Sequence, residues 1–455
     1  MLRQYGRGLS LSRGWMCAAL LALALLGTLA LAGCSTSGGS LTGGLAGSTV
    51  DHPTQPPQVA ATGPNGTYAF VYDNQIWLQT AQGPKQATHL VLSNGANILW
   101  GPLVWSPDGN SIAFALVENL TPGTPGRSYG SIYYVTVGSD GFGTTAVTPA
   151  TGSVYGHTYA WYTSRALIYS DRNGLMLYDV GDSDPRVWLL RSALTSDDNY
   201  SYTSAGIYGD LAVTRDGGTV VYTAISVNPG SIGAKGVVGS AQLRGLNLSQ
   251  LANVFGSYAS DDPNLAVQLA TATQNIAQSV GPYFYSVSLG KAYTDPTGDF
   301  VAGAWELSAG GSVLVTQQVD GVDTGKGTVS SHFCAQQGDP INGYSGCQGI
   351  LSGAGKYPST TRAEMALSRN ATRAAAATDA LYTQSISGGT PAKTALTIWN
   401  TAPAWAPDNK TVLATNLISA KTDAAGVLRP QTEVIAYDGS QATTLIAGAE
   451  NVAWK

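Results

Sequence analysis

The sequence predicts an all-β fold, a six-bladed β-propeller over residues 66–455 closed by its C-terminal strand, with seven blades as the alternative count. Three observations predict it. A phrase made of an apolar strand ending in Trp, a tight turn and a second apolar strand recurs along the chain. Short β-rich runs broken by Gly, Asp, Asn and Pro fill the chain from Thr67 onward, in keeping with 56 glycines and 23 tyrosines. The two ends of this region read as complementary halves of the same phrase.

The clearest copy of the phrase runs from Leu103 to Phe114. Val104-Trp105 ends one strand, Ser106-Pro107-Asp108-Gly109 turns, and Ile112-Ala113-Phe114 begins the next. Each turn residue has a physical reason: Pro107 presets φ, Asp108 can bond its own backbone, and Gly109 takes positive φ. Ala404-Trp405-Ala406-Pro407-Asp408-Asn409 followed by Thr411-Val412-Leu413 is the nearest copy. Weaker copies are placed on Trp161, on Val213 in place of a Trp, and on Trp305 with Val313-Leu314-Val315 after it. These tryptophans are read as packing between blades.

Third and fourth strands follow each pair, as in Leu175–Asp179 and Glu433–Asp438. The chain stops at Val452-Ala453-Trp454-Lys455, a first strand with nothing after it, whereas Tyr68–Tyr72 is a second strand with nothing before it. Joined, they complete one blade and remove two open edges. The Trp-Ser-Pro-Asp-Gly phrase with its following strand resembles the TolB-type propeller repeat, most specifically at Trp105–Phe114 and Trp405–Leu413. The resemblance implies a binding or scaffolding role in the bacterial envelope. It does not carry the partners of the Tol system across, because a bare tether stands where TolB has its N-terminal domain.

Spacing between copies is uneven. Trp105 to Trp161 is 56 positions and Trp161 to Val213 is 52, but Val213 to Trp305 is 92 and Trp305 to Trp405 is 100. Two insertions are therefore expected, at about 228–281 and 320–379, both between second and third strands. Each is expected to hold a helix. Asp262-Pro263 opens a helical pattern through Leu265, Leu269 and Ile276, while Thr361 with Glu364 fits a capping box ahead of the alanines at 374–377. Long loops on a rigid scaffold are where binding concentrates, so the face they cap is the expected recognition surface.

Ahead of the propeller, Arg3, Arg7 and Arg13 precede an apolar run from Trp15 to Ala32. The ending Leu31-Ala32-Gly33-Cys34 resembles the bacterial lipobox, which implies removal of residues 1–33 and lipid on Cys34. Residues 34–65 are Ser, Thr, Gly, Pro and Ala with few large apolar side chains, and are expected to be a flexible tether. Export to the extracytoplasmic side, anchored by the lipid, follows from these readings. In that oxidising setting the two remaining thiols, Cys334 and Cys347, are expected to form a disulfide.

Losing three arginines leaves 20 basic residues against 28 acidic ones. With no basic cluster, nucleic acid is excluded as a partner. Four scattered histidines and Gly343-Tyr344-Ser345-Gly346 make no catalytic pattern, and no acid cluster has calcium-loop spacing. The expectation is a non-enzymatic protein with no metal or cofactor, binding an envelope or cell-surface protein. A sensor of a small molecule or glycan, and a propeller enzyme acting on polysaccharide or peptide, are the alternatives.

Overall fold

A computed structural model describes residues 55–60, 63–90, 97–98, 102–117, 129–137, 144–146, 154–155, 159–171, 174–180, 186–190, 207–214, 219–228, 236–247, 284–295, 300–339, 343–359, 362–398, 401–422 and 428–455. Among these residues every regular element is a strand. Cys34, the lipobox and the helical pattern from Asp262 lie outside them. No helix of the described residues is long and apolar enough to cross a membrane.

The strands form six sheets. In chain order they read as seven four-stranded antiparallel meanders, because a ten-stranded sheet holds two. The first meander is Ala449–Trp454, Tyr68–Tyr72, Gln75–Thr80 and Gly83–Gln86, so the C-terminal strand does pair with the N-terminal hairpin, Tyr68 opposite Trp454. The second runs through Val104–Trp105, Ser111–Val117, Tyr129–Thr136 and Thr144–Ala146, and the third from Tyr159–Thr163 to Arg186–Leu190. The fourth is Ile207–Val213, Thr219–Val227, Gly236–Asn247 and Phe284–Thr294. The fifth is Trp305–Leu307, Val313–Asp323, Thr328–Asp339 and Gly343–Ile350. These two join through one parallel pairing, Gly290 with Val319. The sixth is Glu364–Leu367, Arg373–Ala377, Leu381–Ser385 and Ala392–Lys393, and the seventh runs from Ala404–Trp405 to Ala442–Ala447.

Three expectations are corrected here. The stretch 320–379 is not a helix-bearing insertion: it holds the rest of the fifth meander and the first strands of the sixth. Ala374–Ala377, read as helix, is the second strand of that sixth meander. Its alanines alternate between two apolar clusters, Ala374 and Ala376 in one, Ala375 and Ala377 in the next. A strand packed tightly on both faces has room only for small side chains, and that packing overrides helix propensity. The other extra length, 248–283, follows the third strand of the fourth meander rather than its second. Part of the stretch 34–65 expected as tether also packs against the fold. Pro57 is buried and the Ala60 amide donates to the Leu445 carbonyl at 2.9 Å, on the outer strand of the seventh meander.

The same alternation runs through the core. Ile112 and Phe114 pack with residues of the first meander, while Ala113 and Ala115 pack with Tyr159 and Trp161 of the third. Tyr68, Phe70 and Trp77 pack with Leu413 and Val434, bringing the first and seventh meanders into one cluster. Burying both faces of each sheet against its neighbours is the main apolar contribution to this fold.

Candidate functional site

Four meanders, the second, fifth, sixth and seventh, begin with a turn of common geometry. Ser106, Ser308, Ser368 and Ala406 each donate a backbone N–H across the turn, to the carbonyls of Ser111, Val313, Arg373 and Thr411. The fourth turn residue is held at positive φ, 67° at Gly109, 73° at Gly311, 53° at Ala371 and 55° at Asn409. Asp108 accepts from the Ser106 hydroxyl at 2.6 Å and the Asn110 amide at 3.0 Å, which holds its carboxyl below the usual range. Asp408 likewise accepts the Lys410 and Thr411 amides, both at 2.8 Å. These aspartates serve their own turns.

The tryptophans stitch neighbouring first strands together. Trp105 Nε1 donates to the Ala453 carbonyl at 3.2 Å, Trp161 Nε1 to that of Val104 at 2.9 Å, and Trp405 Nε1 to that of Ala366 at 3.2 Å. In each case the acceptor lies two residues before the turn of the preceding meander, directly ahead of Trp454, Trp105 and Leu367. Trp305 differs. Leu307 pairs with Leu314 and precedes the turn, so Trp305 sits two residues early and donates to the Thr223 hydroxyl at 2.7 Å. The Trp305 copy of the phrase is thus corrected by two positions, and Leu367-Ser368 is a copy that the sequence reading missed.

That register exposes a signal. The residue two positions before the turn, or its equivalent, is Ala453, Val104, Ala160, Ala212, Glu306, Ala366 and Ala404 in successive meanders. Glu306 is the one acid in a column of alanine and valine. It lines a cleft of about 360 Å³ between the first strands of consecutive meanders, together with Glu364. Trp105, Tyr159, Trp161 and Trp305 supply its aromatic wall, and Leu211, Ala212 and Met365 much of the rest. Among the lining residues the only charged side chains are these two glutamates. Sequence reasoning missed both, because Glu306 was hidden by the register slip and Glu364 was read as a helix cap.

Burial shapes their chemistry. Glu364 is only 8% exposed, and desolvation pushes its carboxyl up to about 7, with Arg362 pulling the other way. Arg362 is ion-paired with Asp295 at 3.6 Å. Glu306 is half-buried. The strand that carries it is fixed from behind by Gln317, whose Oε1 accepts the Ala304 amide at 3.0 Å. The Gln317 Nε2 donates to the Tyr357 hydroxyl at 2.6 Å and the Ser331 hydroxyl at 2.8 Å. Such a satisfied buried network holds a strand in one position.

The disulfide joins Cys334, fully buried, to exposed Cys347, with Cα atoms 5.0 Å apart. It ties the edge strand Gly343–Ile350 to Thr328–Asp339 where their register shifts. Gly343-Tyr344-Ser345-Gly346 opens that edge strand, with Tyr344 Oη donating to the Gly311 carbonyl. His332 pairs with Asp320 at 3.0 Å on the surface, away from the cleft lining. Among the described residues no three His, Cys, Asp or Glu side chains group closely enough to hold a metal ion.

No protein-family model matches the sequence, and no curated protein sequence matches it. Solved structures are similar in fold. One is TolB from Acinetobacter baumannii, at 14% identity and a TM-score of 0.39, covering 86% of this chain and 66% of that one. Another is the periplasmic gluconolactonase PpgL of Pseudomonas aeruginosa, at 12% identity and a TM-score of 0.45, covering 85% of this chain and 98% of the other. A third is a puromycin-hydrolysing peptidase of Mycobacterium tuberculosis, at 11% identity and a TM-score of 0.38, covering 78% of this chain and 53% of that one. The chain thus spans less than two thirds of the TolB and peptidase structures. The expectation of a non-enzymatic protein is corrected by these names: structures of similar fold include enzymes beside TolB, so a missing sequence pattern does not exclude catalysis.

Proposed function

We propose that residues 66–455 form a seven-bladed propeller, exported and held at the membrane through lipid on Cys34, which binds a small molecule in the cleft between its first strands. One observation carries the reading: the cleft has an aromatic and aliphatic wall interrupted by two carboxylates, the pattern of a site that encloses a ligand and orients it with few polar groups. The seven meanders, and the cluster shared by the first and seventh, support the ring. The disulfide supports an oxidising compartment.

The test is intrinsic tryptophan fluorescence and thermal shift against a panel of small cations, sugars and carboxylates. Ala212→Trp serves as a variant that fills the cleft. Compounds that raise the melting temperature of the native chain and not of Ala212→Trp support the reading. A panel without any response, or responses untouched by Ala212→Trp, sinks it.

A second reading has an observation of its own. Glu364, with its carboxyl pushed up to about 7, stands in one cleft with the more exposed Glu306, and two carboxyls of unequal environment can serve as acid and base. Turnover of a bound compound that is lost in Glu364→Gln, with binding retained, would establish catalysis. Unchanged turnover in that variant would exclude Glu364 from it.

A further inference from the structure

The segment from Gly343 to Pro358 is a strap across the seam between the fifth and sixth meanders. It leaves the fifth as the edge strand Gly343–Ile350, crosses to the sixth, and returns to pair Lys356–Pro358 with Thr328–Ser330. On the crossing, Ile350, Leu351, Ala354 and Tyr357 are buried in one cluster with Met365, Ala374, Ala376 and Tyr382 of the sixth meander. The Leu351 amide also donates to Gln384 Oε1, on the third strand of the sixth. The seams on either side carry indole bonds, from Trp305 to the fourth meander and from Trp405 to the sixth. At this seam the residue in the Trp405 position is Leu367, which has no N–H to donate. Glu306 and Glu364 stand on the first strands either side of it.

One covalent bond holds the strap to the fifth meander, and its two sulfurs differ in access. Cys334 is fully buried, whereas Cys347 is exposed on the edge strand. Gly346 and Cys347 form the bulge where the register shifts between Ala335 and Gln337, with Gly346 at φ 70°. A side chain at Gly346 or at Gly349 would meet no atom within 4 Å at its Cβ, so the strand is open on both sides of Cys347. Access decides which sulfur of a disulfide a thiolate attacks.

We propose that Cys347 is a thiol-exchange site, at which a protein dithiol of the Cys-x-x-Cys kind reduces the Cys334–Cys347 bond and loosens the strap. The incoming thiolate bonds to Cys347 Sγ. The Sγ–Sγ bond breaks, its electron pair leaves on Cys334 Sγ, and that sulfur takes up a proton. The second thiolate of the reductant then attacks the reductant's own sulfur in the mixed disulfide and releases Cys347 as thiolate. The chain gains two electrons and the dithiol leaves as its disulfide. Cys334 stays in the core as a small apolar side chain, and the edge strand is held by noncovalent bonds alone.

Two measurements on the full chain test this. After brief incubation with glutathione, acid quenching and peptide mapping, glutathione is expected on Cys347 at least about tenfold more than on Cys334. Equal adducts, adducts on Cys334, or none overturn the exchange site. Hydrogen exchange with and without dithiothreitol then reads the strap. Reduction is expected to speed exchange in 343–358 and 381–385 by at least about tenfold more than in 68–80. Cys347→Ser should show the same pattern without reductant, and the native chain carries the test even where that variant disturbs folding. Equal acceleration in all three segments, or none in the first two, overturns the strap.

Discussion

Glu364 and Glu450 are both carried on first strands, and burial pushes both carboxyls up to about 7. Their folded-state values lie above the ordinary 4.5, so between pH 4.5 and 7 the folded chain holds protons that the unfolded chain has released. The sign follows: stability is greatest below that window and is lost as pH rises through about 7. At about 1.4 kcal/mol per pH unit, each group contributes on the order of 3 kcal/mol at most. The melting temperature is expected to fall from pH 5 to pH 8, and Glu364→Gln and Glu450→Gln should each flatten that slope. A flat profile in the native chain would show that neither carboxyl is desolvated as described. Neither glutamate was legible as unusual in the sequence, since an isolated acid in a β-rich chain is ordinarily solvated.

Two devices operate at the scale of the element. The first is the indole bond that joins neighbouring first strands. Trp161→Phe keeps the buried ring but leaves the Val104 carbonyl without its donor, an expected cost of about 1–3 kcal/mol. Trp161→Ala also opens a cavity and should cost about 3–5 kcal/mol. Urea unfolding of the two variants separates bond from packing, and equal losses would mean that the bond contributes nothing. The second device is the disulfide. It closes a loop of 13 positions and should stabilise by about 3 kcal/mol in the chain-entropy picture. Cys334→Ala/Cys347→Ala should lower stability by that amount and remove sensitivity to reductant. A native chain whose melting temperature ignores reductant would contradict this. The disulfide and the packing role of the tryptophans were anticipated from residue type, whereas the indole bond itself was not.

The pairing of the two chain ends belongs to the whole molecule. Strand Ala449–Trp454 pairs with Tyr68–Tyr72, the Trp454 ring lies 4.8 Å from that of Tyr68, and the Lys455 amide donates to the Thr67 carbonyl. Its Ala453 carbonyl is also the acceptor for Trp105. Deleting residues 449–455 removes one strand, one indole bond, and Ala449, Val452 and Trp454 from the cluster joining first and seventh meanders. The native chain is expected to unfold in a single sharp thermal transition, and the deletion variant in a broad one at lower temperature. A deletion variant as cooperative as the native chain would show that the fold does not depend on this strand. The two ends were recognisable as halves of one unit because each carried an intact half of the repeat.

What the sequence by itself determined is the β class, the turn chemistry at Ser106–Gly109 and Ala406–Asn409, the pairing of the two chain ends and the Cys334–Cys347 bond. These depend on adjacent residues, on a repeated pattern, or on a residue type with one dominant use. Only the tertiary structure decided that Ala374–Ala377 is strand, that Leu307 rather than Trp305 precedes its turn, and that Glu306 and Glu364 share a cleft. The reason is physical. Alanine has no strong preference that packing cannot override, a register can slip by two residues without changing which face is apolar, and the cleft exists only where separate first strands meet.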